Sequence, residues 1–279
     1  MLDNGLVRQY SLCGDPTDLK TWTVGILRDP NSRGGSEFVH DNLDAGRAVR
    51  VRGPRNHFAL IDSPRYLFVA GGIGITPIKA MAQAAQRSGA QWTLIYLGRS
   101  RSTMAFADEL VERYGARVIL WPDAESGGTY DLAATLGTPL DDTLVYCCGP
   151  EGLLTAVENL CAAWPVGSVN VERFAARTST PSAREEGGET LDTFEVICMR
   201  SGVTVEVDAD TPMLDALEDA DIPIMSSCGE GVCGTCRATV LEGIPDHRDS
   251  LLTEAERASG TTILPCVSRS KTAKLVLDL

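Results

Sequence analysis

Four cysteines constrain this 279-residue chain more than any other feature: Cys228, Cys233, Cys236 and Cys266. The run Ser226-Ser227-Cys228-Gly229-Glu230-Gly231-Val232-Cys233-Gly234-Thr235-Cys236 puts four residues between the first pair and two between the second. The fourth cysteine lies well downstream. This is the plant-type ligand spacing for a 2Fe-2S cluster. Two irons of high positive charge require four soft thiolates that converge on them. Gly229, Gly231 and Gly234 let the loop curl so that backbone amides can point at the sulfurs and tune the potential. Two other uses of the thiols compete with the cluster. A zinc ribbon needs two short CxxC knuckles, and this segment has one. Disulfides need an oxidising compartment, yet the cysteines number nine, an odd count, and the start Met1-Leu2-Asp3-Asn4-Gly5 has no basic segment leading into an apolar one. The spacing favours the cluster, and with it single-electron transfer.

A chain of this length holds two or three domains. With 43% hydrophobic and 23% charged residues it has the composition of an ordinary globular protein. No apolar run approaches the roughly 18 residues of a membrane span, and a net charge of −13 argues against nucleic acid as a partner. The expected location is cytoplasmic. Residues 191–279 carry 16 acidic against 7 basic side chains. That imbalance suits either a docking face for a basic partner or a plain solvated surface.

Residues 177–190 lack apolar periodicity and read as a linker. Beyond them, Thr193–Cys198 and Val203–Val207 read as a hairpin around Ser201-Gly202. Pro212 opens a short helix over Met213–Glu218, with Thr211 as its expected N-cap. After the cysteine loop, Arg237–Leu241 and Leu275–Leu277 close a sheet. Two strands, a helix, a loop and further strands resemble the α+β β-grasp ferredoxin fold. The middle of the chain alternates strands and helices, and this βαβ pattern predicts a doubly wound parallel α/β sheet with ligands at its C-terminal edge.

Between the strand Tyr66–Ala70 and a helix from Ile78 to Arg87 lies Gly71-Gly72-Ile73-Gly74-Ile75-Thr76-Pro77. A strand, a glycine turn and a helix start make an anion site, although Pro77 stands where a GxGxxG fingerprint has its last glycine. Cys148-Gly149-Pro150 and Glu172-Arg173-Phe174 end later strands, so they fall along the same edge.

Near the N-terminus stand Arg8-Gln9-Tyr10-Ser11 and Ser32-Arg33-Gly34-Gly35-Ser36. Taken in order with the glycine turn, the Cys-Gly-Pro end, the Glu-Arg-Phe end and the ferredoxin cysteines, these segments resemble the phthalate dioxygenase reductase family, the reductase components of two-component Rieske oxygenases. The resemblance covers nearly the whole chain. It implies an FMN-binding antiparallel β-barrel over 1–61, an NAD-binding, ferredoxin reductase-like α/β domain over 62–176, the linker 177–190, and a ferredoxin domain over 191–279. Only seven residues precede Arg8, so the barrel is expected to be partial, without the family's first strands.

The resemblance also implies roles. Arg8 would pair with the flavin phosphate, Tyr10 pack on the ring system and Ser11 reach N5. Gly25, Ile26 and Leu27 would border the isoalloxazine. Arg33, Gly34, Gly35 and Ser36 would form the FMN phosphate loop. Gly72, Gly74, Thr76 and Pro77 would cradle the dinucleotide, with Gly149 and Pro150 beside it. Cys148 and Phe174 would sit at the nicotinamide–flavin stack, giving Ser11, Cys148 and Phe174 catalytic parts. Arg99 and Ser100 follow the second strand, where a 2′-phosphate would lie; NADH is nevertheless placed ahead of NADPH. The implied path runs from NADH through FMN and the cluster to the Rieske centre of a separate terminal oxygenase, with the reductase a monomer. The flavin is needed because it accepts a hydride and releases electrons singly. Two other uses stay open: a flavin-less one-electron carrier, and a reductase for a diiron or haem-thiolate monooxygenase. Cys13, Cys147, Cys161 and Cys198 read as ordinary buried thiols, and His40, His57 and His247 as structural or surface groups.

Overall fold

The computed structural model describes residues 2, 5–30, 32–175 and 193–279; the expected linker 177–190 lies outside them. The chain divides into Tyr10–Phe174 and a discontinuous unit formed by Met1–Gln9 with Ala175–Leu279.

In the first unit, Tyr66-Leu67-Phe68-Val69-Ala70 shows no polar alternation, as a strand covered on both faces requires. It lies in β1 (Arg65–Gly71), the centre of a five-stranded parallel sheet ordered β3-β2-β1-β4-β5. The other strands are β2 (Gln91–Gly98), β3 (Val118–Pro122), β4 (Thr143–Cys148) and β5 (Val169–Glu172). The register pairs Gly71 with Leu97 and Ala70 with Cys148, which brings three strand ends to one edge. Helix α1 (Gly35–Asn42) precedes the sheet. Helices α2 (Ile75–Ser88) and α3 (Ala107–Tyr114) cover one face, where Ile78, Ala82 and Leu110 meet Phe68, Leu94 and Tyr96. After β3 come the short helices α4 (Asp123–Ser126) and α5 (Leu132–Leu136), and after β4 comes α6 (Glu151–Leu160). On the second face Leu154, Val157 and Trp164 pack against Val69, Ile95 and Val145.

The residues ahead of β1 depart from the expected barrel. Among the described residues there, β pairing is confined to one antiparallel bridge, Leu12 with Val24. Without neighbouring strands, extended backbone has no ladder to join, and apolar side chains that a barrel would enclose are left exposed, among them Leu27, Val49, Val51 and Ile61. The segment is instead held by polar ties. The buried Lys79 of α2 donates from Nζ to the Cys13 carbonyl at 3.1 Å, pairs with Glu109 at 3.0 Å, and lies over the Phe106 ring.

In the second unit, β6 (Phe194–Cys198) and β7 (Val203–Val207) form the expected hairpin. Helix α7 (Met213–Asp219) packs Met213 and Leu217 against Val196, Val207, Leu275 and Leu277. The chain continues through β8 (Ala238–Glu242), β9 (Pro245–Asp246), α8 (Glu254–Ser259), β10 (Thr262–Ile263), β11 (Arg269–Ser270) and β12 (Lys274–Leu277). The main sheet is ordered β10-β8-β12-β6-β7, with β12 parallel to β6 and antiparallel to β8. This is the β-grasp arrangement. Thr211 is not the N-cap of α7: the cap is Pro212, which makes no side-chain cap bond, because the helix begins at Met213 and leaves Thr211 one residue too early.

Helix α8 has the cap that α7 lacks. Thr253 accepts from the Glu256 amide while the Glu256 carboxylate accepts from the Thr253 amide. Such a reciprocal box contributes about 1 kcal/mol. Thr253→Ala is therefore expected to destabilise this unit by about that amount, read as a lower calorimetric melting temperature.

Candidate functional site

The sulfurs of the cysteine loop converge. Cys228 shares side-chain hydrogen bonds with Cys233 and Cys266, and Cys266 shares another with Cys236. Those two thiol donors, with the amides of Glu230 and Val232, hold Cys228 well below the usual thiol range. The Glu230 amide donates to Cys228 Sγ at 3.3 Å, and the Thr235 amide donates to Cys233 Sγ at 3.4 Å. Gly231 closes the loop at φ +67°, flush against Asp249, where a Cβ would lie 2.6 Å from Val267. Among the described residues, no three such side chains surround a single metal ion. A two-iron cluster does not require that, since each iron takes two thiolates and bridging sulfides supply the rest. Cys233, Cys236 and Cys266 are buried while Cys228 is half-buried. The donor set therefore fits the cluster.

At the sheet edge, Gly72–Gly74 form one 3-10 turn that runs directly into α2. Tyr96, fully buried, donates its hydroxyl to the Gly72 carbonyl and shares it with the Ala105 carbonyl, both at 3.1 Å, and so pins the turn from below. Gly74 presses on the end of β4: a Cβ there would fall 2.7 Å from the Gly149 amide and closer still to the Cys148 carbonyl. Thr76 is buried and bonds to the Ile73 carbonyl at 3.0 Å, and the buried Pro77 sits in the first turn, where a missing amide costs nothing. Gly25, expected beside the isoalloxazine, reaches the same place, since a Cβ on it would lie 2.9 Å from Thr76 and 3.2 Å from Phe106. The segments expected to bind flavin and dinucleotide thus meet at Gly25 and Thr76.

Cys148 ends β4 fully buried, and burial pushes its thiol far up, so it is a neutral group. Opposite it in β5 stands Glu172, whose Oε2 is buried without a hydrogen-bond partner. Burial raises this carboxyl to about 7. Arg173 is held by Glu151 at 3.0 Å and Glu158 at 2.7 Å, which ties the end of β5 to α6, and the following Phe174 is 42% exposed.

The N-terminal positions are less tightly gathered. Gly34 adopts φ +80° as the N-cap of α1, with no side chain capping the helix, and Gly35 is buried behind it. Ser36 Oγ accepts from the Asp29 amide at 3.2 Å and donates to Ser32 Oγ at 3.1 Å. Arg33 is exposed at the same helix start. An oxyanion suits this end of the helix. His40 of α1 reaches the Ile26 carbonyl at 2.9 Å, while Leu27 is 55% exposed. Arg8 donates to the Val7 carbonyl at 2.8 Å, and Tyr10 and Ser11 are half-buried.

Arg99 and Ser100 stand just past β2, as expected. Ser100 Oγ bonds to Ser102 and Thr103, and the neighbouring Arg101 is taken by Asp108. Sequence reasoning missed a cleft of about 610 Å³ at this edge, lined by Leu97, Asp123, Tyr130 and Leu153 among others. It also missed Tyr96, which reads as an ordinary strand residue until the fold places it beneath Gly72, and it named Glu172 only as part of a strand end, without its buried carboxyl beside Cys148.

A pyridine-nucleotide sheet edge and a four-thiolate loop in one chain define an oxidoreductase that handles both hydride and single electrons. Comparison with known proteins agrees. Residues 68–159 match the oxidoreductase NAD-binding domain family, and residues 196–271 match the 2Fe-2S iron-sulfur cluster binding domain family. The chain belongs to the phthalate dioxygenase reductase family. It is 43% identical to phenoxybenzoate dioxygenase subunit beta of Ectopseudomonas oleovorans over all of its own length and 85% of that protein's. It is 39% identical to phthalate dioxygenase reductase of Burkholderia cepacia, over 99% of this chain and 84% of that one. A solved phthalate dioxygenase reductase, described as a modular structure for electron transfer from pyridine nucleotides to a 2Fe-2S centre, superposes with a TM-score of 0.70 at 36% identity, over 100% of this chain and 85% of that chain. An intact type IV self-sufficient cytochrome P450 monooxygenase gives a TM-score of 0.86 at 46% identity over 99% of this chain, which spans 35% of that one.

Proposed function

We propose that the protein takes hydride from NADH, passes the electrons through FMN to the 2Fe-2S cluster, and delivers them singly to a separate terminal oxygenase. The observation that carries this reading is the meeting of Gly25 with Thr76 beside Gly74 and Cys148, in a chain that also holds the converging thiols. FMN, when bound, supplies the conversion of a two-electron donor into a one-electron one. The chain's own residues bind and orient. The start of α1, with Arg33, Gly34, Gly35 and Ser36, holds the phosphate, and Gly25, Ile26 and Leu27 line the ring, with Arg8, Tyr10 and Ser11 from the adjoining segment. The turn from Gly72 to Pro77 receives the pyrophosphate. Cys148 offers the nicotinamide a neutral, dry surface, and Phe174 flanks it.

NADH is favoured over NADPH because Arg101 is already neutralised by Asp108 and the cleft past β3 presents the Asp123 carboxylate. A carboxylate there accepts a ribose hydroxyl and repels a phosphate. The oxygenase partner is proposed from the relatives' names, with a Rieske-type component acting on an aromatic substrate as the first reading. The likeness to the P450 chain supports a second, a haem-thiolate acceptor. We read the protein as a monomer in the cytoplasm, where thiols stay reduced; an odd count of nine cysteines suits that compartment.

The test is the ultraviolet–visible spectrum of anaerobically purified protein before and after NADH. Overlapping flavin and iron–sulfur bands that both bleach are expected. Iron–sulfur bands alone, unmoved by NADH, would refute the flavin step.

A further inference from the structure

We propose that Gln9 is a positioning residue for the cluster, acting through Thr235 on the Cys233 sulfur. Gln9 Nε2 donates to Thr235 Oγ1 at 3.1 Å, across 226 residues of sequence. The same Thr235 oxygen lies 3.1 Å from Cys233 Sγ, and the Thr235 amide donates to that sulfur at 3.4 Å. Thr235 and Cys233 are 8% and 2% exposed, so little water competes for these contacts.

A hydroxyl has one proton to give and two lone pairs to fill. An amide N–H can only donate, so the Thr235 oxygen must accept from Gln9. With that lone pair occupied, the hydroxyl proton can turn to the sulfur, which lies 3.1 Å away. A thiolate bound to iron accepts that proton well, because hydrogen bonds to a charged acceptor are shorter and stronger than neutral ones. Donors to cluster sulfurs stabilise the reduced, more negative form and so raise the reduction potential. Gln9 touches no ligand itself. Its contribution is to fix which way the Thr235 hydroxyl turns. Gln9, next to Arg8 in sequence, belongs to the same folded unit as Thr235, so this tie lies within one unit.

The inference rests on the cluster occupying the four cysteines, and the test separates the two. The potential of the cluster is measured by redox titration of the whole protein, followed by electron paramagnetic resonance, in Gln9→Leu, Thr235→Val, the pair together, and Thr235→Ser. Thr235→Val is expected to move the potential negative by removing the donor, and Thr235→Ser to restore it. Gln9→Leu is expected to move it in the same direction by less, because the hydroxyl is then free to turn. The pair should lie no lower than Thr235→Val alone, since Gln9 has nothing left to orient. An unchanged potential in Gln9→Leu, or fully additive shifts in the pair, would overturn the proposal. Should Thr235→Val not assemble, Gln9→Leu against the parent and Thr235→Ser still decides. Absence of any cluster signal in the parent would instead refute the cluster reading.

Discussion

Gly74→Ala is expected to cost roughly 3 kcal/mol in the nucleotide-binding unit and to lower kcat/KM for NADH at least tenfold. Gly74 has φ −59°, so it is not there for conformational freedom. The reason is space. Its missing Cβ would enter the backbone at the end of β4, 2.7 Å from the Gly149 amide and nearer to the Cys148 carbonyl. Backbone cannot swing aside as a side chain can, which puts the change at the upper end of overpacking costs, typically 1–3 kcal/mol. Either the turn lifts off the sheet or β4 retreats, and both change the surface proposed to face the nicotinamide. Gly152→Ala is the control for stability alone, because Gly152 lines the cleft beside Asp123. Nothing lies within 4 Å of a Cβ there, and in the first turn of α6 alanine should be no worse than glycine. Thermal melting of the two variants checks the contrast in stability, and steady-state NADH oxidation of Gly74→Ala against the parent checks the effect on turnover. Parent-like values in Gly74→Ala would show that the edge is softer than this packing implies.

Glu172→Gln carries the second large effect, and its sign depends on pH. The folded carboxyl titrates near 7 against an ordinary 4.5, because burial disfavours its charged form. A carboxyl raised in this way favours the fold most while protonated. No penalty exists below the ordinary value. Stability falls as pH rises from about 4.5 to 7, and the loss is complete above that, amounting to about 3 kcal/mol. Glutamine cannot ionise, so the variant should exceed the parent by up to that amount at pH 8 and draw level near pH 5. The chain's four tryptophans, Trp22, Trp92, Trp121 and Trp164, all fall in the first unit, so urea unfolding followed by their fluorescence reports on the right part of the molecule. A gap that stays constant between the two pH values would remove burial as the cause. The same substitution reads function: a neutral Glu172 at low pH can donate to a nicotinamide carboxamide, an ionised one cannot, and the amide retains a donor throughout. KM for NADH is therefore expected to rise with pH in the parent and stay flatter in the variant.

The two folded units were legible in the sequence to different depths, for physical reasons. The thiol loop was plain because four ligands at fixed spacing encode geometry directly. The parallel sheet was plain because β1, β2 and β4 are continuous apolar runs bounded by glycines. The segment before β1 was legible as motifs only: Arg8, Tyr10 and the loop at Arg33–Ser36 could be named, but strand pairing depends on partners that no local pattern supplies, and the described residues there share a single bridge. The role of Tyr96, and the contacts of Glu172 and Gln9 beyond the segments that contain them, were invisible for a related reason. Their importance comes from register or from contact across long stretches of chain, as with Gln9 and Thr235. Thr211 failed on a smaller scale, since a one-residue shift in helix start decides which residue is the cap. Arg101, next to the expected Arg99 and Ser100, is taken by Asp108, a pairing that no local pattern announces.

The discontinuity of the second unit has a consequence for how the protein is made. Gln9 is made before Tyr10–Phe174, but the residues its segment joins, 193–279, are made after it. At typical elongation rates of about 5–20 residues per second, Gln9 waits on the order of ten seconds or more without its partner while the intervening unit is made. The hydrogen bond from Gln9 to Thr235 can therefore form only after Tyr10–Phe174 has been synthesised. Closure of the discontinuous unit is thus tied in time to the making of the continuous one.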